Sequence, residues 1–175
     1  GAQVFALPLD PILQILPMVT ITPIPQLEDT ALGVINVHGA VTPVVDLRVL
    51  IGMGEAPLLL YTPIILIKTK GFNLGLVVDE VMDVISVPVD SLTGLHGVIP
   101  EELGEAPILQ GLAHIPDRIL PLINPDYMLL PDQAKLLARV MEQLPDLFQE
   151  YGNPAAQGNG EIEQEEEQGD KERVA

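Results

Sequence analysis

Apolar and mostly β-branched residues fill residues 33–48 in two stretches that are separated by His38–Gly39. This pattern around a glycine predicts an antiparallel hairpin. Pro43 has no backbone donor, so it belongs at a sheet edge or at a bulge. We expect Asp46 and Arg48 to share one face of the second strand. An exposed ion pair between them would contribute only ~0.2–1 kcal/mol.

The same pattern predicts two further hairpins, formed by residues 62–69 with 72–78 and by residues 108–115 with 119–123. Gly111 interrupts the predicted strand at residues 108–115 and marks a bulge. Residues 77–87 fit either a bent strand or a helix, and their β-branched content favours the strand. Residues 88–106 are rich in Pro, Gly and acidic residues and read as a long loop with one helical turn at most.

The N-terminal residues are less regular. Residues 3–16 alternate loosely around two prolines, which fits two short strands or one strand with a bulge near Asp10. Residues 17–32 contain three more prolines and predict an extended connector.

The C-terminal part changes character. Asp132 is a plausible N-cap, and an apolar stripe predicts a helix that packs on the body and ends at Pro145, with one more turn at 147–151. Residues 152–175 are rich in Glu, Gln and Gly and predict a disordered acidic tail. The expected organisation is one β-rich domain over residues 1–131, a helix over 132–151 and this tail.

Charge narrows the possible partners. The net charge is −17, and residues 152–175 hold seven acidic and two basic residues, which leaves −12 on the remainder. This field disfavours nucleic acid and anionic membrane surfaces. No apolar run reaches the ~18–20 residues of a membrane span, and we see no signal peptide. The chain has no Cys, so disulfides and thiolate metal sites are excluded.

Candidate catalytic and metal-binding chemistry is sparse. The three histidines lie far apart in sequence, at positions 38, 96 and 114. Asp79, Glu80 and Asp83 are close together, but a solvated acidic turn is the commoner reason for such a cluster. Neither a serine-nucleophile elbow nor a glycine-rich phosphate loop is present. The sequence therefore predicts no catalytic, cofactor or metal site.

Residues 33–48 resemble the segment G-V-I-N-L-R-G-x-V-x-P-V-V-D-L-R of CheW-like domains, the coupling proteins of bacterial chemosensory arrays. The match is ungapped and consists of Gly33, Val34, Ile35, Asn36, Gly39, Val41, Pro43, Val44, Val45, Asp46, Leu47 and Arg48. This chain has His38 where the family usually has Arg.

The resemblance covers roughly residues 3–131. It implies an all-β fold of two small, five-stranded, SH3-like β-barrels packed together, followed by the helix and the tail. The family normally has a further strand upstream, so we expect either that this strand lies outside the given sequence or that the first barrel closes in another way. We therefore expect an unpaired barrel edge and a tendency to form a homodimer through it.

The resemblance also implies a partner-binding surface, formed by Ile12, Gln14, Gly33, Asn36 and His38. Each residue has a plainer explanation. Ile12 fits core packing, Gln14 a solvated strand face, and Gly33 an unusual backbone angle. His38 fits a polar hairpin tip. If His38 instead forms an ion pair with a partner, raising the pH should weaken that pair, because histidine loses its charge between about pH 5 and 8.

The implied function is a non-enzymatic, cytoplasmic adaptor of membrane receptor arrays, without a cofactor. It would bridge the cytoplasmic tip of a chemoreceptor and the regulatory domain of a CheA-type histidine kinase. Two alternatives stay open. One is the same adaptor in a pilus, gliding or biofilm signalling pathway. The other is a small-molecule-binding or enzymatic β-barrel with the carboxylates of Asp46, Asp79 and Asp83 around a cavity.

Overall fold

The computed structural model describes residues 3–27, 29–95 and 108–151, and it contains two β-sheets and a long C-terminal helix. The elements are β1 Ile12–Leu16, β2 Gly33–Val37, β3 Ala40–Asp46, α1 Leu47–Leu50, β4 Ile64–Lys68, β5 Asn73–Val77, β6 Leu92–Gly94, β7 Leu109–Ile115, β8 Arg118–Ile123 and α2 Pro131–Tyr151. The loop predicted over residues 88–106 was wrong at Leu92–Gly94, because these residues find a partner in β7 and form β6. The rest of that loop from residue 96 onward, His96 and the tail at 152–175 lie outside the described residues.

The larger sheet has the strand order β1-β4-β5-β3-β2. Its two antiparallel hairpins, β2–β3 and β4–β5, confirm the sequence prediction. Strand β3 also pairs in parallel with β5, from Val44 onward. Pro43 precedes that pairing and lies opposite Val34 of β2 alone, so its missing donor costs no hydrogen bond to β5.

Two expectations for the larger sheet were wrong. Strand β3 ends at Asp46, which caps the short helix α1 by accepting a hydrogen bond from the backbone N–H of Arg48, so Arg48 does not share the strand face. Beyond β5, residues 78–88 form neither strand nor helix. Val78 still donates its N–H to Pro63 O at 3.2 Å. Among the described residues no further ladder hydrogen bond follows, so the β-branched content there does not produce a strand.

The larger sheet is covered on both faces. One cluster takes a side chain from each of the five strands, namely Leu16, Ile35, Val44, Ile64 and Val77. The second cluster lies on the other face and includes Val45, Ile67 and Leu76 together with Ile123 of β8 and Leu137 of α2. This second cluster joins the larger sheet to the smaller sheet and to the helix.

The smaller sheet has the order β6-β7-β8. Its β7–β8 hairpin has an irregular register between Leu109 and Gly111, which confirms the predicted bulge. A Cβ at Gly111 would lie 2.6 Å from Thr93 O, so a larger residue would collide with the backbone of β6. A parallel bridge from Ala6 to Leu122 ties the N-terminal segment to β8. The structure is therefore mostly β with one C-terminal helix, as predicted.

Helix α2 differs from the prediction at both ends. It begins at Pro131, so Asp132 lies in its first turn and is not the N-cap, and it continues through position 145 to Tyr151. A proline removes one backbone donor, which can kink a helix without ending it. Leu137 and Leu144 are buried, which confirms that the helix packs on the body. Among the helices of the described part, none is long and apolar enough to cross a membrane.

Candidate partner-binding surface

The tip of the β2–β3 hairpin is a two-residue turn, His38–Gly39. Both residues have positive φ angles, 50° and 91°, as a type I′ turn requires. This turn type matches the right-handed twist of the two strands that it joins. The side chain of Asn36 supports the turn, because its Oδ1 accepts a hydrogen bond of 2.7 Å from the N–H of Gly39. The chain therefore presents His38 on a well-defined tip.

His38 is exposed at this tip. A neutral imidazole offers one donor and one acceptor, and a protonated one offers two donors. Neither form can reproduce the five-donor planar fork of an arginine. The side chain at the tip therefore offers one or two hydrogen bonds and no bidentate clamp.

Gly33 is buried at the start of β2, and its φ is 143°. A Cβ here would lie 2.2 Å from Thr22 O and 2.9 Å from the Cα of Pro23. Thr22 bridges to Val34 through two hydrogen bonds of 2.8 Å, so this backbone is fixed against β2. A side chain at position 33 would thus collide with the chain itself before it could meet any partner.

Ile12 and Gln14 lie on β1, at the edge of the sheet opposite β2. Ile12 is half-buried and packs against the cluster that joins the two sheets, which agrees with the core-packing explanation. Gln14 is exposed. Of the five residues suggested by the resemblance, two thus lie on β1 and three belong to the β2–β3 hairpin at the opposite edge of the sheet.

Arg48 lies in a buried cluster that the sequence did not indicate. Its guanidinium donates to Asp46 through Nε at 2.9 Å and through Nη2 at 2.6 Å, and through Nη1 to Asp79 at 2.8 Å. Nη2 also donates to Ala56 O at 3.0 Å. The side chains of Arg48 and Asp46 are only 7% and 5% exposed, so the expectation of an exposed pair was wrong. The hydrogen bonds with Asp46 raise the pKa of Arg48 above its usual value, although burial opposes this.

This cluster also bears on the small-molecule alternative. Asp46 and Asp79 meet on Arg48 and not around a cavity. A cavity of about 260 Å³ lies instead between the β4–β5 turn and α2. Its lining includes Lys70, Phe72 and Lys135, and none of the three proposed carboxylates contributes to it. In the part of the chain that the structure describes, no group of three His, Asp or Glu side chains could hold a metal ion.

The family model of the CheW-like domain matches residues 1–133 of this chain. The chain belongs to the CheW-like domain family. Among similar proteins, Chemotaxis protein CheW of Bacillus subtilis is 30% identical over 121 residues, which cover 65% of this chain and 76% of that protein. Chemotaxis protein CheW of Rhizobium meliloti is 41% identical over 66 residues, which cover 38% of this chain and 43% of that protein.

A third relative, Protein PilI of Pseudomonas aeruginosa, is 27% identical over 114 residues, which cover 65% of this chain and 63% of that protein. The crystal structure of the scaffolding protein TtCheW from Thermoanaerobacter tengcongensis is similar to this CheW-like domain with a TM-score of 0.63 and 25% identity, covering 72% of this chain and 84% of that one. The resemblance that the hairpin residues suggested is thereby confirmed.

Proposed function

We propose that this CheW-like protein is a non-enzymatic adaptor that couples chemoreceptors to a CheA-type histidine kinase in a chemosensory array. The observation that carries the proposal is the family match, which spans residues 1–133 and therefore both sheets. The relatives named as chemotaxis proteins and the scaffolding protein of similar fold support the same role. Its place would be the cytoplasm, beside membrane receptors.

The adaptor would act through binding alone. Each sheet would close into a small SH3-like barrel, and the side-chain cluster shared by all five strands of the larger sheet supports this for the first barrel. One barrel would pair with the similar regulatory domain of the kinase through apolar surface. The groove beside the β2–β3 hairpin would take the helical hairpin of the receptor tip. Together these contacts would set the geometry of the kinase.

The five residues of the proposed surface would contribute differently. His38 and Gln14 are exposed, so they would contact a partner directly. Asn36 would hold the tip in place through its hydrogen bond to Gly39. Gly33 and Ile12 would act by keeping the β2 backbone and the β1 strand in position, because both pack inside the chain.

A calorimetric titration tests the coupling role. The full chain is titrated with a CheA-type regulatory domain and, separately, with a helical hairpin from a chemoreceptor tip. We expect binding to both, and we expect His38→Ala and Gln14→Ala to weaken binding to the receptor hairpin. Glu142→Ala on the exposed face of α2 serves as the control and should bind like the unchanged chain.

Binding to neither partner by a folded chain would contradict the adaptor role. Equal binding by His38→Ala, Gln14→Ala and the control would leave the adaptor role in place but would remove both the hairpin tip at His38 and the β1 position at Gln14 from the receptor surface. Gly33→Asp is not a useful variant here, because the close approach of Thr22 would disturb the fold itself.

The similarity to Protein PilI supports a second candidate, in which the same kind of adaptor serves a pilus, gliding or biofilm pathway. The two candidates differ in the kinase that is bound. A competition titration with regulatory domains from a chemotaxis kinase and from a pilus-system kinase would separate them, since the physiological partner should bind more tightly.

A further inference from the structure

The cavity of about 260 Å³ lies where three elements of the chain meet. These are the β4–β5 turn, the 3₁₀ turn Pro125–Tyr127 and the first two turns of α2. Sites for small molecules are concave and mostly apolar, with a few polar groups. An apolar cavity of about 150 Å³ already admits benzene. The cavity of this chain therefore has room for a small organic molecule.

The inner lining of the cavity is apolar. Leu74 is completely buried, and Phe72 and Leu129 pack against the cluster that joins the two sheets. Helix α2 contributes Ala134 and Ala138, which lie one helical turn apart on the same face. Because both side chains end at Cβ, they leave the space between the helix and the β4–β5 turn open. A ligand with an apolar body would remove this lining from water.

The β4–β5 turn that forms one wall of the cavity is fixed by its own hydrogen bonds. Both the N–H and the hydroxyl of Thr69 donate to Phe72 O, at 3.1 Å and 2.6 Å. Across the cavity, the N–H of Asp126 donates to Asn124 Oδ1 at 3.2 Å and holds the 3₁₀ turn. The walls therefore exist before a ligand binds, which lowers the entropic cost of binding.

Two lysines lie at the cavity, Lys70 on the turn and Lys135 on the helix. Their side chains are 74% and 75% exposed. Lys70 Nζ is 3.6 Å from Asp126 Oδ2, and Lys135 Nζ is 3.9 Å from Asp132 Oδ1. Both distances are longer than a hydrogen bond, so each ammonium keeps N–H donors for a ligand.

The charge at the cavity differs from that of the whole chain, which is −17. Four of the eight Lys and Arg residues lie on the two facing elements, namely Lys68, Lys70, Lys135 and Arg139. The lining itself has two lysines and one carboxylate, Asp126, and therefore a net charge of +1. Next to the lining, Asp132 and Arg139 cancel each other. One negative charge on a ligand would balance this lining.

These features select one class of ligand. A carboxylate at pH 7 would accept charge-assisted hydrogen bonds from Lys70 and Lys135, while an apolar body would cover the inner lining. An amine with the same body would meet two like charges. The acidic groups elsewhere on the chain act weakly here, because salt screens charges beyond about 8 Å at physiological ionic strength.

We propose that the cavity between the β4–β5 turn and α2 binds a small amphipathic monocarboxylate, of the size of a medium-chain fatty acid. The site goes beyond the adaptor role proposed above, because it gives the protein a chemical ligand of its own. Neither the hairpin tip nor β1 contributes to it. Since the ligand contacts the β4–β5 turn and α2 together, its binding should also raise the melting temperature.

The test titrates the full chain with octanoate, by calorimetry and by following the backbone amide resonance of Gly71, which lines the cavity. We expect this resonance to shift with a dissociation constant of about 1 mM or below. Hexanoate should bind up to about fifteenfold more weakly, because it buries two CH₂ groups fewer. Butyrate lacks most of the apolar body and octylamine has the opposite charge, so neither should shift the Gly71 resonance at the same concentration.

Two variants test the apolar lining and the lysines separately. Ala138→Leu fills the cavity from the helix and should weaken octanoate binding at least about tenfold. Gln143→Leu adds the same side chain at an exposed position of α2 and should bind like the unchanged chain.

Lys70→Gln/Lys135→Gln should also weaken octanoate binding at least about tenfold, because no cation then meets the carboxylate. Arg118→Gln removes an exposed cation from the β7–β8 turn and is its control. Both lysines are largely exposed, so this double variant should fold like the unchanged chain, which circular dichroism checks.

Three results would overturn the proposal. Equal octanoate binding by Ala138→Leu and Gln143→Leu would show that the apolar body lies elsewhere. Equal shifts of the Gly71 resonance by octylamine and octanoate would show that the lysines select nothing. Tighter octanoate binding by Ile162→Ser would assign the cavity to the chain's own segment Glu161–Ile162–Glu163. None of these results depends on the kinase or receptor, so failure here is distinct from failure of the adaptor role.

Discussion

At the level of single residues, Arg48 shows that an ion pair suggested by sequence spacing has a different energetic role when its side chains are buried. Asp46 and Arg48 are two positions apart, and the sequence suggested a weak surface pair. In the structure the pair is buried, Asp46 also caps α1, and Arg48 reaches Ala56 and Asp79. Removal of one charge from such a cluster leaves the other charge buried without its partner.

We expect Arg48→Met to lower the free energy of unfolding by about 3–5 kcal/mol, because Asp46 would then be a buried charge without a cation. Arg48→Met/Asp46→Asn should recover part of this loss, since the asparagine can still cap α1. Urea denaturation of both variants measures the difference. Asp79 is 67% exposed, so Asp79→Asn should cost no more than about 1 kcal/mol. A loss as large for Asp79→Asn as for Arg48→Met would contradict the assignment.

The confined backbone at Gly33 leads to a second prediction, which concerns stability. Gly33→Ala should destabilise the chain by more than about 2 kcal/mol, because its Cβ would lie 2.2 Å from Thr22 O and φ is strongly positive. Gly71 has open space around it, so Gly71→Ala should change stability little. Thermal unfolding of the two variants is the measurement. Similar melting temperatures would show that the β2 start can move away from Thr22.

His38 adopts a positive φ of 50°. This left-handed conformation costs most residues with a Cβ about 1–2 kcal/mol of conformational energy. Asparagine tolerates this region best among the non-glycine residues, and Asn-Gly is the preferred pair of a type I′ turn. His38→Asn should therefore raise the free energy of unfolding by a few tenths to about 1 kcal/mol. Urea denaturation tests this, and His114→Asn, at another exposed histidine, is the comparison. A lower stability of His38→Asn would mean that the imidazole makes a stabilising contact.

At the level of elements, local sequence patterns were sufficient to predict the hairpins. They were insufficient where a segment forms a strand only if a distant segment pairs with it. Alternation and turn residues identify β2–β3, β4–β5 and β7–β8 because both strands of each pair are close in sequence. Residues 78–88 have similar composition but form no strand. A strand needs a partner, and whether one is available depends on distant parts of the chain.

Helix α2 packs against the core through one side of its apolar stripe. Leu137 is completely buried in the cluster that joins the sheets, whereas its neighbour Leu136 is 38% exposed. Leu137→Ala should cost about 2–5 kcal/mol and Leu136→Ala clearly less, because only the first leaves a cavity in the core. Guanidinium unfolding of the two variants measures this. Equal losses would mean that the helix packs with a different face.

At the level of the whole molecule, the exposed edge of the larger sheet and the net charge oppose each other. Strand β1 pairs with β4 on one side and lies at the sheet edge, and its Leu13 and Ile15 are each 49% exposed. Such an edge favours pairing between copies. The charge of −17 repels a second copy.

We therefore expect self-association through β1 at high micromolar concentration, and we expect more of it as salt screens the repulsion. Analytical ultracentrifugation at low and high salt measures the mass. Ile15→Lys should shift the equilibrium to monomer, and Val89→Lys, at an exposed position far along the chain, should not. A monomer under all these conditions would rule out the edge contact.

The amino-acid sequence alone determined the family, the mostly β class and the three hairpins, since these depend on residues close in the chain and on an ungapped motif in residues 33–48. It also placed the bulge at Gly111, because a glycine within a strand is a local signal. Only the tertiary structure showed that Arg48 is buried, that Gly33 is confined by Thr22, and that a cavity lies between the β4–β5 turn and α2. Burial and close approach are set by segments distant in sequence, so the pattern of neighbouring residues cannot predict which side chains are buried or closely contacted.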